Sequence, residues 1–354
     1  MKRILLFGKN SEQLYANYEQ LLGHDISAHK QQPSPETPTM TKAFQDSGWE
    51  VFWTCIDFIS DDIRFFSPAT NRMATIKASE LDNNFNAIVF RVIGSVDDKI
   101  DKVVAAINVL EKNFSGFIVN HPKTMKYAIR KDYILELQNA GFPVIPTTYF
   151  ENSVSYSEVV KGLSTSDFTK YLIKPVTGEL SKSVAIIMDK ENITHEDTSQ
   201  THSVRTQRTG EEYLRYKQSK VGGWLLQPIV PQIWDGEYQA IFFGSSLSHG
   251  FYKSYNKTSD ELLPSNKHRN WQLNDPSKLV IDTAIAIRNY FQDKLSYPIH
   301  QVRMDYIKVS ETQIQILEFE MLNPGVLLLD PTQPEIDYKI ASNLEIEISK
   351  HIKL

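Results

Sequence analysis

A chain of 354 residues with 41% apolar content is long enough for two or three domains, each with a core of its own. A net charge of −5 and an isoelectric point near 6.0 argue against a dedicated nucleic-acid binder or a membrane-surface protein. Cys55 is the only cysteine, which excludes an intramolecular disulfide and a cysteine-cage metal site.

In chain order, the opening MKRILLFGKN has only four consecutive apolar residues, Ile4 to Phe7, too few for a signal-peptide core. No run approaches the ~18 apolar residues that span a bilayer, so a cytoplasmic protein without a membrane partner is expected. Lys2–Gly8 is a short apolar strand. Lys30–Met40, with three prolines, is expected to be a loop. Ala87–Arg91 and Gly116–Val119 are strands, and helical spacing over Ile100–Lys112 joins them into a unit that makes a small parallel sheet. One helix is predicted over Thr124–Ala140, stopped by Gly141 with Pro143 and Pro146 beyond. Tyr171–Pro175, Val184–Met188 and Leu225–Ile229 are strands. The polar stretch Asp189–Gly223 is expected to hold a helix around Glu211–Lys220 and a mobile loop that acts as a lid. From Gly236 on, strands alternate with a helix at Leu279–Phe291. Domain boundaries fall near residues 118 and 225.

Leu317–Gly325, LEFEMLNPG, sets an electrostatic problem. By period-2 alternation Ile314, Ile316, Glu318 and Glu320 share one face, so two carboxylates end an apolar row. At ~6–7 Å they would repel by roughly 2–3 kcal/mol at an effective dielectric near 20. Upstream, Val302–Val309 is a strand with Arg303 and Asp305 on one face. A four-residue loop, Ser310–Gln313, pairs Val309 with Ile314, and so sets Asp305 opposite Glu318 and Arg303 opposite Glu320. The bland account is a solvated face with an Arg–Glu cross-strand pair. The sharper one is an all-oxygen site for Mg²⁺ together with a nucleotide.

The rest of a nucleotide site has candidates. Lys174 ends a strand and precedes a Gly/Ser loop (177–183) that suits a phosphate, although an exposed hairpin lysine fits the same pattern. Leu225–Pro231 ends in two prolines that free backbone groups for an adenine edge. Asp235-Gly236-Glu237 is a turn that delivers a carboxylate.

Taken in order, Asn120-His121-Pro122, RKDYILELQNAGFPVIPT (130–147), IKPVTGELSKS (173–183), LQPIVPQIWDGEY (226–238), SHGFYK (248–253) and VRMDY…ILEFEMLNP (302–324) resemble the ATP-grasp superfamily over roughly residues 85–330. The chain is similar to bacterial glutathione synthetase and to the O-ureidoserine cyclo-ligase group. It departs from that pattern at IGSVDDK after Arg91, at Glu320 where D-alanine–D-alanine ligase has asparagine, and at Asn323-Pro324-Gly325.

The resemblance implies an α/β (α+β) chain with the ATP-grasp fold. Residues 1–118 would be an N-terminal pre-ATP-grasp substrate domain, 119–225 a central subdomain with a lid, and 226–354 a C-terminal subdomain with the metal site. It assigns ATP to Lys131, Lys174, Ser181, Ser183, Gln227, Pro228, Ile229, Val230, Glu237 and Lys253. It assigns magnesium, one or two ions with manganese as a substitute, to Asp305, Glu318 and Glu320, and catalysis to Arg303. Substrate contacts fall to Arg91, His249 and Asn323. The implied activity is ATP-dependent carboxylate–amine ligation through an acyl phosphate, with a small-molecule acid and an amine or peptide as substrates. A homodimer is compatible with it. Two alternatives differ in class: a small-molecule kinase related to the inositol phosphate kinases, whose substrate would meet Lys253/Lys257 and Lys267–Arg269, and a nucleotide-binding module without turnover.

Overall fold

The chain is described from a computed structural model that covers residues 1–8, 14, 16, 36–91, 96–163, 170–178, 184–187, 191–197, 204–217, 222–255, 269–327, 330 and 332–352. Ser181, Ser183, Lys257 and Lys267 lie outside the described residues, as do residues 93–95 of IGSVDDK.

The first sheet starts from β1, Lys2–Phe7, whose last four residues are all buried. Ile4 and Leu6 enter one core cluster and Leu5 and Phe7 another, so both faces of the strand are covered, as a parallel strand requires. Helix α1, Glu36–Asp46, begins inside the expected proline loop: Pro38 lies in its first turn, where its missing N–H costs nothing. Strands β2 (Trp49–Thr54), β3 (Asp62–Ser67), β4 (Arg72–Lys77) and β5 (Ala87–Val89), helix α2 (Val96–Asn113) and β6 (Phe117–Val119) complete the unit. The order is β4-β3-β2-β1-β5-β6, parallel from β2 to β6, with the β3–β4 hairpin added antiparallel. The chain leaves β1 toward β2 and returns to β5 on its other flank. The crevice at the carboxyl ends of β1 and β5 is therefore a topological switch point.

Instead of one helix over Thr124–Ala140 there are two, α3 (Pro122–Ala128) and α4 (Tyr133–Asn139). The break has a cause. The Lys131 amide donates to the Val176 carbonyl at 2.7 Å, outside any helical ladder. Arg130 forks onto Asp132 at 2.6 and 2.9 Å beside it.

The second sheet is antiparallel throughout. Its elements are β7 (Thr148–Phe150), α5 (Tyr156–Leu163), β8 (Tyr171–Pro175), β9 (Ala185–Ile187), β10 (Asn192–Asp197), β11 (Val204–Thr209), α6 (Gly210–Lys217) and β12 (Trp224–Pro228), with strand order β11-β10-β9-β8-β12-β7. The expected mobile loop is thus largely a hairpin, β10–β11. Its polar content is what an edge of a sheet tolerates.

The third sheet, order β15-β14-β13-β16-β17, takes β13 (Glu237–Phe243), β14 (Ser246–Tyr255), β15 (Arg269–Asn274), β16 (Gln301–Ser310) and β17 (Gln313–Glu320). Helix α7, Lys278–Leu295, buries Val280, Ala284, Ile287 and Phe291 in a core shared with α2, α4, β16 and β17. Helix α8, Pro334–Ser349, has no counterpart in the sequence reading. It sends Ile340, Ala341, Leu344 and Ile348 back to Met40 and Phe44 of α1. No helix among the described residues is long and apolar enough to cross a membrane.

Candidate active site

The β16–β17 hairpin sets Asp305 opposite Glu318 and Arg303 opposite Glu320, the expected pairs, by an unexpected route. The turn is shorter than expected: Ser310 pairs with Gln313, leaving Glu311 and Thr312 between them. Two bulges then cancel. Val309 is the extra residue on β16, and Leu317 is the extra one on β17. The second bulge corrects the face assignment. Ile314 and Ile316 point into the core with Phe319 and Met321, while Glu318 and Glu320 stand on the opposite face. The carboxylates do not interrupt an apolar row; a one-residue slip turns them away from it.

On that face the residues fall in rows, because cross-strand partners point the same way. One row runs Phe251, Gln239, Asp305, Glu318; the next runs His249, Ile241, Arg303, Glu320. Glu237 and Lys253 pair on β13 and β14, joined by an ion pair of 2.9 Å.

Each carboxylate has its own partner. Asp305 accepts from Arg303 Nε at 2.7 Å and Nη2 at 2.8 Å, a planar fork-to-fork pair. Glu318 meets the Lys131 ammonium at 2.8 Å, delivered by the break between α3 and α4. Glu320 accepts from the backbone N–H groups of Leu322 and Asn323 at 3.0 and 3.1 Å. Burial pushes Glu318 up, but Lys131 and then Arg303 outweigh it and hold the carboxyl down at about 2. Asp305 stays raised by burial despite Arg303, and Glu320 is raised by burial and by Glu318. Three carboxylates are thus held close together in a desolvated setting. Three oxygen donors on adjacent strands suit a hard divalent cation, which would ease the repulsion between Glu318 and Glu320.

Lys174, on β8, lines the same small pocket as Lys131, Gln227, Leu317 and Glu318. Burial and then the nearby Lys131 lower its pKa to about 8. Gln227 donates to Thr147 Oγ1 at 2.8 Å, and the Ile229 amide donates to the Lys170 carbonyl at 2.9 Å. Ile229 and Val230 pack with Ile145, Ile307 and Leu317 in a separate apolar cluster beside the pocket, just past Pro228 at the end of β12.

Three substrate candidates sit elsewhere or are engaged internally. Arg91 is only 1% exposed, lies two residues beyond β5, and binds Glu36 through one nitrogen; its Nε and Nη1 have no hydrogen-bond partner among the described residues. His249 shares the Arg303 row, but its Nε2 lies 2.9 Å from the Val326 carbonyl and its Nδ1 3.0 Å from Ser248 Oγ. Burial lowers its pKa to about 4, so the ring is neutral and braces the segment after the Asn323 turn. Asn323 closes that turn onto Glu320, with its side-chain oxygen buried and without a hydrogen-bond partner among the described residues. Cys55 is buried, with its thiol pushed up to about 12, first by burial and then by Asp57.

Two positioning residues are absent from the sequence assignments. Tyr133 presents its hydroxyl to the Phe319 N–H at 3.2 Å, just past the bulge. Asn120, at φ 57°, ties down the base of the hairpin. Its Nδ2 donates to the carbonyls of Gln301 (2.7 Å) and Met321 (2.6 Å), and its Oδ1 accepts from the amides of His300 and Gln301. The only available signal for Asn120 was an asparagine directly before a His-Pro helix start, which says nothing of partners 180 residues away.

No family model and no curated protein matches the sequence. Solved structures do match in fold. D-cycloserine synthetase DcsG aligns at a TM-score of 0.65 and 18% identity, over 97% of this chain and 99% of its own. The D-alanine–D-alanine ligase from Coxiella burnetii aligns at 0.62 and 9% identity, over 99% and 95%. Macrocyclase MdnC from Microcystis aeruginosa MRC, solved with precursor peptide MdnA, aligns at 0.58 and 13% identity, over 97% and 99%. The fold is that of the ATP-grasp ligases, from end to end.

Proposed function

We propose that this chain, built on the ATP-grasp fold, is an ATP-dependent ligase that joins a carboxylate to an amine or another nucleophile and releases ADP and phosphate. One observation carries the reading. Arg303, plane-locked on Asp305, stands in a row with Glu320 on the face where Lys131 already meets Glu318. Lys131 and Lys174 come from different elements to one pocket, where they bind the nucleotide's phosphates. Gln227, Pro228, Ile229 and Val230 offer backbone groups and an apolar slot for adenine, Glu237 is the ribose acceptor, and Lys253 holds Glu237 in place. Asp305, Glu318 and Glu320 would hold magnesium, which would neutralise phosphate oxygens. We read residues 1–118, 119–225 and 226–354 as substrate, central and C-terminal units, with the β10–β11 hairpin as the lid.

In the first step a substrate carboxylate oxygen attacks the γ-phosphorus and ADP leaves, giving an acyl phosphate. In the second, the nucleophile adds to the acyl carbon, and the tetrahedral intermediate expels phosphate as the nucleophile loses its proton. Arg303 Nη1 makes one long bond, 3.4 Å to the Gly325 carbonyl, which leaves its second N–H for the oxyanion, and the fixed plane of the guanidinium means little reorganisation as charge develops. The acid's own anchor is Arg91, at the switch-point crevice, with two guanidinium nitrogens that make no hydrogen bond among the described residues. His249 and Asn323 shape the wall behind Arg303.

The test is a screen of amino acids and small acids for ADP release with Mg²⁺, with products identified by mass spectrometry. With the right acid, ¹⁸O from its carboxylate should reach free phosphate, and hydroxylamine should trap a hydroxamate. A stable phosphorylated product with no ¹⁸O transfer would replace the ligase with a kinase.

A further inference from the structure

Away from the carboxylate face, three chemically different donors meet at the C-terminal end of α8. Among the described residues, His300, Glu347 and His351 are the one group of three potential ligands whose donor atoms all lie within 4.8 Å of one another. His300 Nδ1 is 3.6 Å and His351 Nε2 3.3 Å from the same oxygen, Glu347 Oε1. The other carboxylate oxygen is taken by Lys350 at 2.8 Å, which leaves Oε1 to the two imidazoles.

The donors are held by fixed elements. The His300 amide donates to Asn120 and its carbonyl accepts from Gly244 at 2.8 Å, so its backbone is pinned from both sides. Gly244, at φ 59°, makes room for the Glu347 carboxylate: a Cβ there would lie 2.5 Å from Oε1. Phe117 lies flat on the His351 ring at 4.7 Å and edge-on to His300 at 4.8 Å, which orients both rings.

We propose that His300, Glu347 and His351 form a binding site for a zinc-class divalent transition cation, separate from the carboxylate face that suits magnesium. Two imidazoles and one carboxylate are the donor set such ions prefer, whereas magnesium favours oxygen alone. Around an ion with bonds of ~2.0–2.1 Å, tetrahedral ligand atoms stand about 3.4 Å apart. The 3.3 and 3.6 Å separations already match, and the two imidazole nitrogens lie within 4.8 Å of each other. A bound ion would tie α8 to the start of β16, directly below the Asn120 pin and the active-site hairpin.

The test uses the untagged full chain, stripped with a chelator and then held in excess Mg²⁺ to occupy the carboxylate face. Titration with ZnCl₂ by calorimetry should show one equivalent, and Co²⁺ should give visible d–d bands. His351→Ala and Glu347→Gln should each weaken zinc binding by at least about 10-fold, the scale on which even an outer-shell partner acts. Both should keep the far-UV dichroism and Mg²⁺–ATP affinity of the unchanged chain. His351 is partly exposed, so its loss leaves the core intact. No zinc uptake by the unchanged chain, or equal affinity in both variants, overturns the site.

Discussion

Two clusters of buried polar groups hang on the same pair of strands, and they are built on opposite principles. At the base of the hairpin, Asn120 makes four hydrogen bonds, to the backbone of His300, Gln301 and Met321, with both side-chain heteroatoms used twice. A few residues along, the carboxylate face carries Asp305 and Glu320 raised by burial, and across the pocket on β8 Lys174 is lowered by it. The first cluster is satisfied and neutral. The second holds ionisable groups of both signs in a desolvated setting that disfavours their charged forms. The Asn120 side chain, which serves the fold, is fully paired, whereas the ionisable groups of the candidate site sit in costly charge states.

The comparison breaks most visibly at the pin. Asn120→Ala should cost about 3–5 kcal/mol of stability, because it strands several buried amides and carbonyls at once. Asn120→Gly should cost nearly as much, since glycine accepts the positive φ but restores no hydrogen bond. Urea denaturation of both variants checks this; a loss below ~1 kcal/mol in either would show that the pin is dispensable.

Next come the lysines of the pocket. Lys131→Met and Lys174→Met should each weaken ATP binding by about 1.5–3 kcal/mol, the scale of a charge-assisted hydrogen bond. Neither should destabilise the chain as Asn120→Ala does. Calorimetry with a non-hydrolysable ATP analogue measures it, and unchanged affinity in both variants removes the phosphate assignment.

Lys174 also makes the contrast pH-dependent. Its folded pKa of about 8 lies below the ordinary 10.5, so the folded chain releases this proton first. The unfolded chain binds more protons between those values, and stability from this group therefore rises with pH from about 8 to 10.5. The gain should be about 1–3 kcal/mol and should vanish in Lys174→Met. Parallel unfolding curves for the two proteins at pH 8 and pH 10 decide it.

The smallest effect is the most telling. Glu320→Gln keeps the acceptor for the Leu322 and Asn323 amides and removes a charge that Glu318 opposes. It should raise stability by about 1 kcal/mol while ADP formation falls at least about 10²-fold. A variant both less stable and fully active would mean that Glu320 is a structural residue.

Much of the candidate site's strand pairing was legible in the sequence because its parts are local. Asp305 opposite Glu318 follows from two strands and a short turn, and even the misjudged turn length did no harm, since the bulges at Val309 and Leu317 offset each other. The face assignment failed for the same reason: no periodicity rule sees a bulge whose effect is to send Phe319 inward and Glu318 outward. The split of α3 from α4 was hidden too. Residues 124–140 read as one helix until the Lys131 amide is drawn to Val176 on another sheet.

By itself the sequence determined the strand-forming runs, the α/β alternation of the first unit and the acidic pairs. These depend on neighbours a few residues away, where φ/ψ preferences and side-chain period act. Tertiary structure alone decided that Lys131 reaches Glu318, that Asn120 braces a hairpin far along the chain, and that α8 returns to α1 and carries Glu347 toward His300. Those contacts join residues separated by tens to hundreds of positions. Their partners are selected by the packing of three sheets around shared cores, and no local pattern in the chain encodes that choice.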